Sequence, residues 1–235
     1  MKRTLSVLGL LLATAPAFTQ VLPSVSDAEA NGREMVHIGA LNSGFIYMST
    51  DCTEQLAQGA KCTVIGPLAL NASFNHPDLI SFRIPARAVN SLLCFDITPL
   101  IDVSFANATS TPTTFGVFSA TAKLTIKSSV LNDPAVVRPN GQPFNGQFEI
   151  PTIQFFEQVN LAAGEASGKS YHFTRSCANA GVSKHTLTRN LGLTAAQANS
   201  FFNNPITVVL SASANTRHVD FLFYQYHVRL YGDRR

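Results

Sequence analysis

Thr121-Ala122-Lys123-Leu124-Thr125-Ile126-Lys127 alternates apolar and polar residues without a break. Successive side chains of an extended chain point to opposite faces, so Ala122, Leu124 and Ile126 share one side and the threonines and lysines the other. The stretch predicts a strand with one face in a core and one in solvent. Tyr224, Tyr226, Val228 and Leu230 alternate in the same way with Gln225, His227, Arg229 and Tyr231. So regular a strand is expected to be paired inside the fold.

Outward from these two, shorter runs rich in Val, Ile, Phe and Thr recur between Gly, Pro and Asn clusters. They fall at residues 35–40, 44–49, 63–70, 79–84, 92–97, 101–106, 147–155, 170–175 and 206–211. Pro139-Asn140-Gly141 and Asn145-Gly146 are turn signals, because Asn and Gly accept the positive φ that tight turns need. One region breaks the pattern. Thr194 with Gln197 forms a capping box ahead of Ala195, Ala196, Ala198 and Phe201, which predicts a helix from Ala195 to Phe202 stopped by Asn203-Asn204-Pro205. A preceding helical turn from Ser183 to Leu191, ended by Gly192, completes the insert. The fold class that follows is mostly β, an antiparallel β-sandwich of about ten strands with a short two-helix insert near 183–203.

The N-terminus reads differently. Met1, Lys2 and Arg3 precede an apolar run from Leu5 to Ala13, the pattern of a secretory leader, and Ala15-Pro16-Ala17 places cleavage after Ala17. The run is shorter than the roughly 20 residues a membrane-spanning helix needs. Residues 1–17 are thus expected to be a signal peptide, 18–33 a flexible arm and 34–235 one sandwich domain, secreted or periplasmic, with no integral membrane segment after leader removal. Removal of Lys2 and Arg3 lowers the formal net charge from +3 to +1. That is too little positive charge for a phosphate-neutralising surface, so nucleic acid is not an expected partner.

Four cysteines in a chain with a leader predict disulfides. Cys52 and Cys62 flank a short polar segment, which favours pairing 52 with 62 and, by remainder, Cys94 with Cys177. None of the C-x-x-C or H-x-x-x-H spacings of structural zinc sites occurs, and neither a metal nor a cofactor is expected.

Catalytic signals are sparse. His76-Pro77-Asp78 is the nearest approach to an oriented base, yet no G-x-S-x-G supplies a nucleophile, and a proline turn explains the triplet. Asp96 and Asp102 lie in apolar surroundings flanking Thr98-Pro99-Leu100 and are the most noticeable carboxylates for a glycosidase pair. Trp is absent, which weakens a carbohydrate platform without excluding Tyr47, Tyr171 or Tyr224. In a strand, one member of Phe155-Phe156 faces outward, and its exposure would mark a partner surface. Asn71-Ala72-Ser73 and Asn107-Ala108-Thr109 match the glycosylation pattern. The expectation is a non-enzymatic protein with a binding or surface-assembly role, engaging a protein partner or itself, with strand donation by the arm as one variant. The alternative is a secreted hydrolase of polysaccharide or peptide, for which His76, Asp78, Asp96 and Asp102 are the residues to name.

Overall fold

The computed structural model of the protein describes residues 35–66, 70–175 and 181–234. The leader pattern, the arm and Cys177 lie outside the described residues. Among the described residues, ten strands form two sheets. Sheet A contains β1 (Met35–Asn42), β2 (Ile46–Ser49), β3 (Lys61–Val64), β5 (Val89–Ala106), β8 (Ala166–His172) and β10 (Val219–Arg234). Sheet B runs in the order β4 (Ala72–Ile84), β9 (Ile206–Arg217), β6 (Thr113–Ser128) and β7 (Gln147–Ala162).

Period-two alternation decides what lies between the sheets. Phe118, Ala120, Ala122, Leu124 and Ile126 of β6 face Leu222, Tyr224, Tyr226, Val228 and Leu230 of β10, all buried in one continuous core. The two strands read most clearly from the sequence are thus the inner strands of the two layers. Tyr226 is buried without a polar orphan: its hydroxyl donates to Thr152 Oγ1 at 2.6 Å, which in turn donates to the Ala122 carbonyl at 2.6 Å.

β10 is the spine of sheet A. β5 pairs with it along nearly its whole length, and on its other side β1 takes residues 227–233 while β2 takes 221–224. Between β1 and β2 the chain steps out and back at Ser43-Gly44. Ser43 fills the gap by donating its N–H to the Tyr226 carbonyl and accepting the Tyr226 N–H on Oγ, each at 2.9 Å. Gly44 takes φ 72° there, a conformation open to glycine at little cost.

Pro99 sits within β5, a central strand, where the missing N–H usually forbids it. Its neighbours explain the tolerance. Tyr226, opposite Pro99, already spends its backbone groups on Ser43, and on the far side β8 stops at His172, so no ladder bond is lost.

Helix α1 (Thr53–Ala57) carries the chain from β2 to β3, which pair in parallel. A crossover from Thr50 to Ala60 is short for a parallel pair. The Cys52–Cys62 disulfide closes it, with Cα atoms 5.6 Å apart. Helices α2 (Lys184–Leu191) and α3 (Ala195–Asn203) form the expected insert. Both begin with capping boxes, Ser183 with Thr186 and Thr194 with Gln197, and α3 buries Ala198, Phe201 and Phe202 against the end of the core. No helix among the described residues is long and apolar enough to cross a membrane.

Candidate functional site on the outer face of sheet A

The pairing registers turn the outer face of sheet A into a grid. Side chains that alternate with the buried set stand in rows across β2, β10, β5 and β8, about 7 Å apart along the strands. One row reads Tyr47, Phe223, Asp102 and Ser170. The next along β10 holds Gln225, Leu100 and His172, and the one after that Asn42, His227 and Thr98. Arg229 and Asp96 stand opposite each other at the end.

The two ends of the grid differ in chemistry. At one end four rings cluster on the surface: Phe45 packs on Phe223 at 5.7 Å, Tyr47 on Phe223 at 5.3 Å and on Phe221 at 6.2 Å between centroids. Phe45 remains 50% exposed. At the other end a depression of about 390 Å3 is lined by Asn42, Thr98, His172, Gln225, His227 and Arg229, together with Asp96 and Leu100. Gln225 Nε2 donates to Asn42 Oδ1 at 3.4 Å, and the Thr98 and Thr174 hydroxyls lie 3.0 Å apart. Burial lowers the His227 pKa from 6.5, and Arg229 adds to the effect. The imidazole is therefore neutral near pH 7, with one nitrogen donating and one accepting.

The residues singled out for catalysis are not brought together. His76 lies on the inner side of β4, stacked on Phe74 at 5.3 Å, while Asp78 is exposed and faces Lys127 at 3.8 Å. Asp96 and Asp102 stand on the outer face of β5, in the other sheet. Six strand positions separate those two carboxylates by about 20 Å, twice the span of a glycosidase pair. Asp102 instead accepts a hydrogen bond from Ser170 Oγ. Burial, with Lys61 nearby, lowers the His76 pKa. Among the described residues, no group of three His, Cys, Asp or Glu is arranged to hold a metal.

Of the tyrosines named from the sequence, Tyr47 belongs to the ring cluster. Tyr224 is buried, and Tyr171 donates its hydroxyl to Glu157 at 2.6 Å across the two layers. Phe156 is the outward member of its pair, at 61% exposure on sheet B. Asn107 is buried, with its amide held by the Thr111 and Ala162 carbonyls, and is no acceptor for a glycan; Asn71 is exposed.

Phe45, Phe221, Phe223, Gln225, His227, His172, Asn42 and Arg229 were missed by sequence reading as a site. A signal existed for five of them. Extending the alternation of Tyr224 and Tyr226 back by two periods puts Phe221 and Phe223 on the same solvent face as Gln225, His227 and Arg229.

Sheet B carries a second groove, of about 530 Å3, over Thr121, Thr125, Ser211 and Ser213. Its lysines are occupied: Lys123 pairs with Glu149 at 3.1 Å and Lys127 with Asp78. Fold and face together define a two-sheet β-sandwich that displays rings and hydrogen-bonding side chains on one outer surface. No family model, no curated protein and no solved structure matches the chain.

Proposed function

We propose that the protein is a non-enzymatic binding protein working outside the cytoplasm, secreted or periplasmic, with the outer face of sheet A as its working surface. One observation carries this reading: the same outer face presents a cluster of four surface rings at one end and a depression lined by hydrogen-bonding side chains at the other. Half-buried rings next to neutral polar groups are ready to exchange water for a ligand without moving the backbone. The leader pattern at 1–17 and the Cys52–Cys62 disulfide support the extracytoplasmic part, since such bonds persist in oxidising compartments.

Two measurements test the reading. Fractionation of producing cells, with intact mass of the purified protein, is expected to find it outside the cytoplasm beginning at Phe18. Incubation with mixed polysaccharides and unfolded protein substrates is expected to release neither reducing ends nor new amino termini. Turnover that disappears in Asp102→Asn or His76→Ala would replace the binding reading with the hydrolase.

A further inference from the structure

We infer that the outer face of sheet A binds an extended, uncharged glycan, its sugar rings stacked on the Phe45–Tyr47–Phe221–Phe223 cluster and its hydroxyls held by Asn42, Gln225, His227 and Asp102. The inference rests on the binding reading above and names the ligand class of that same site.

Charge comes first. Arg229 is the one Lys or Arg in the lining of the depression, and it stands opposite Asp96, while Asp102, six positions along β5, adds a second negative charge to the same face. A phosphate or polyanion needs a surplus of positive charge that this face lacks. A purely apolar ligand is equally ill served, because Asn42, Gln225, His227 and Asp102 would lose water and gain no partner.

A saccharide asks for both halves at once. One face of a pyranose ring presents C–H groups with slight positive charge, which meet the negative face of an aromatic ring. Its hydroxyls each donate and accept, and this surface offers an acceptor in Asp102 and a donor in Asn42 Nδ2, whose Oδ1 already accepts from Gly44 N–H and Gln225 Nε2, beside groups that do both in Gln225 and neutral His227. Rings and polar groups are in register: Phe223 and Gln225 are successive outward positions on β10, and Tyr47 of β2 pairs with Phe223 while Phe45, just ahead of β2, packs on the same ring.

Size decides between a single sugar and a chain. From Phe221 to His227 is six strand positions, about 20 Å, so one ring cannot touch both the cluster and the depression. The face is backed by packed side chains, because β2, β5 and β10 bury alternate residues beneath it, among them Ile46, Met48, Leu222, Tyr224, Ile101 and Val103. A preorganised platform spends little entropy on ordering itself.

The test uses the full mature chain titrated calorimetrically with xylohexaose, cellohexaose, maltohexaose and chitohexaose. Saturable binding to at least one is expected. Phe223→Ala and Gln225→Ala should each weaken it at least tenfold, whereas Lys123→Ala and Phe156→Ala on sheet B should leave it unchanged. Gln225 is an outward polar residue, so its loss spares the core; an unchanged melting curve for Gln225→Ala separates lost contact from lost fold. Absence of saturable binding to all four sugars, or binding insensitive to both sheet A changes, overturns the glycan assignment. If extended peptides bind instead, and the same two variants lose them, the glycan falls while the binding reading stands. Cleavage of an oligosaccharide by the protein would overturn both.

Discussion

His218 alone joins β9 in sheet B to β10 in sheet A, and it does so at φ 53°, with its Nε2 3.1 Å from Thr114 Oγ1. Burial lowers its pKa from 6.5, with Arg217 reinforcing the shift, and burial likewise lowers those of His76 and His227. A histidine whose folded pKa is depressed contributes stability that is present above pH 6.5 and lost as pH falls through the folded value, because the unfolded chain takes up the proton first. The urea midpoint should therefore fall as pH is lowered from 6.5. His218→Asn, which tolerates positive φ, should flatten that fall; an unchanged slope would mean that His218 is protonated alike in both states. The alkaline side has the opposite sign. Burial and the Glu157 hydrogen bond push Tyr171 up to about 12, and burial raises Tyr226 to about 12 as well. Stability should hold below pH 10 and decline as pH rises from 10 through 12, following tyrosinate absorbance. Tyr171→Phe should remove part of this decline.

Among the elements, the β2–α1–β3 unit has the least intrinsic support. α1 buries no residue, and β3 is a four-residue edge with Val64 66% exposed. Opening Cys52–Cys62 should cost roughly 3 kcal/mol in the loop-entropy model, and amide exchange should quicken in β3 before it does in β6. A second pairing is testable beside it. Leu92 with Val182 and Ile97 with Arg175 form isolated bridges on either side of Cys94, and Cys177 falls in sequence between Arg175 and Val182. A non-reduced peptide map is expected to join the peptides containing Cys94 and Cys177; two free thiols there would refute it. Helix α3 earns its place through Phe201 and Phe202, and Phe201→Ala should lower the unfolding free energy by about 3–5 kcal/mol.

The same elements show what the sequence made legible. β6 and β10 were readable because each buries one face and wets the other, and α3 because Thr194 and Gln197 announce its start. β5 was read as two pieces, 92–97 and 101–106, since Pro99 looks like a break until its neighbours' hydrogen bonds are known. β4 is legible only over 79–84, and its first half hides for a related reason: Pro77-Asp78-Leu79 bulge opposite the single residue Ser211, which destroys the alternation. Asn145-Gly146 takes positive φ as expected, but it turns the chain into β7 against the Leu131 carbonyl; the small hairpin forms around Asn140-Gly141 instead. The candidate site was the least legible part. Tyr47, Phe223, Asp102 and Ser170 share one row only through strand registers, which no local pattern encodes.

At the scale of the molecule, the sandwich separates duties by face. Inner faces hold the layers together, and the outer face of sheet A can change its side chains with little effect on that packing. Substituting Phe221, Gln225 and His227 together by Ser should therefore shift the melting temperature far less than Phe201→Ala alone. A large shift would show that the outer grid also carries stability.

β10 has one more property, which concerns time. It is the centre of sheet A and, among the described strands, the last to be synthesised, and β1, β2 and β5 all depend on it for their hydrogen bonds. A nascent chain lacking residues 219–234 holds three strands with no common neighbour. Sheet A can therefore complete its pairing only once residues 219–234 have been made, so the strands of that layer assemble late and together.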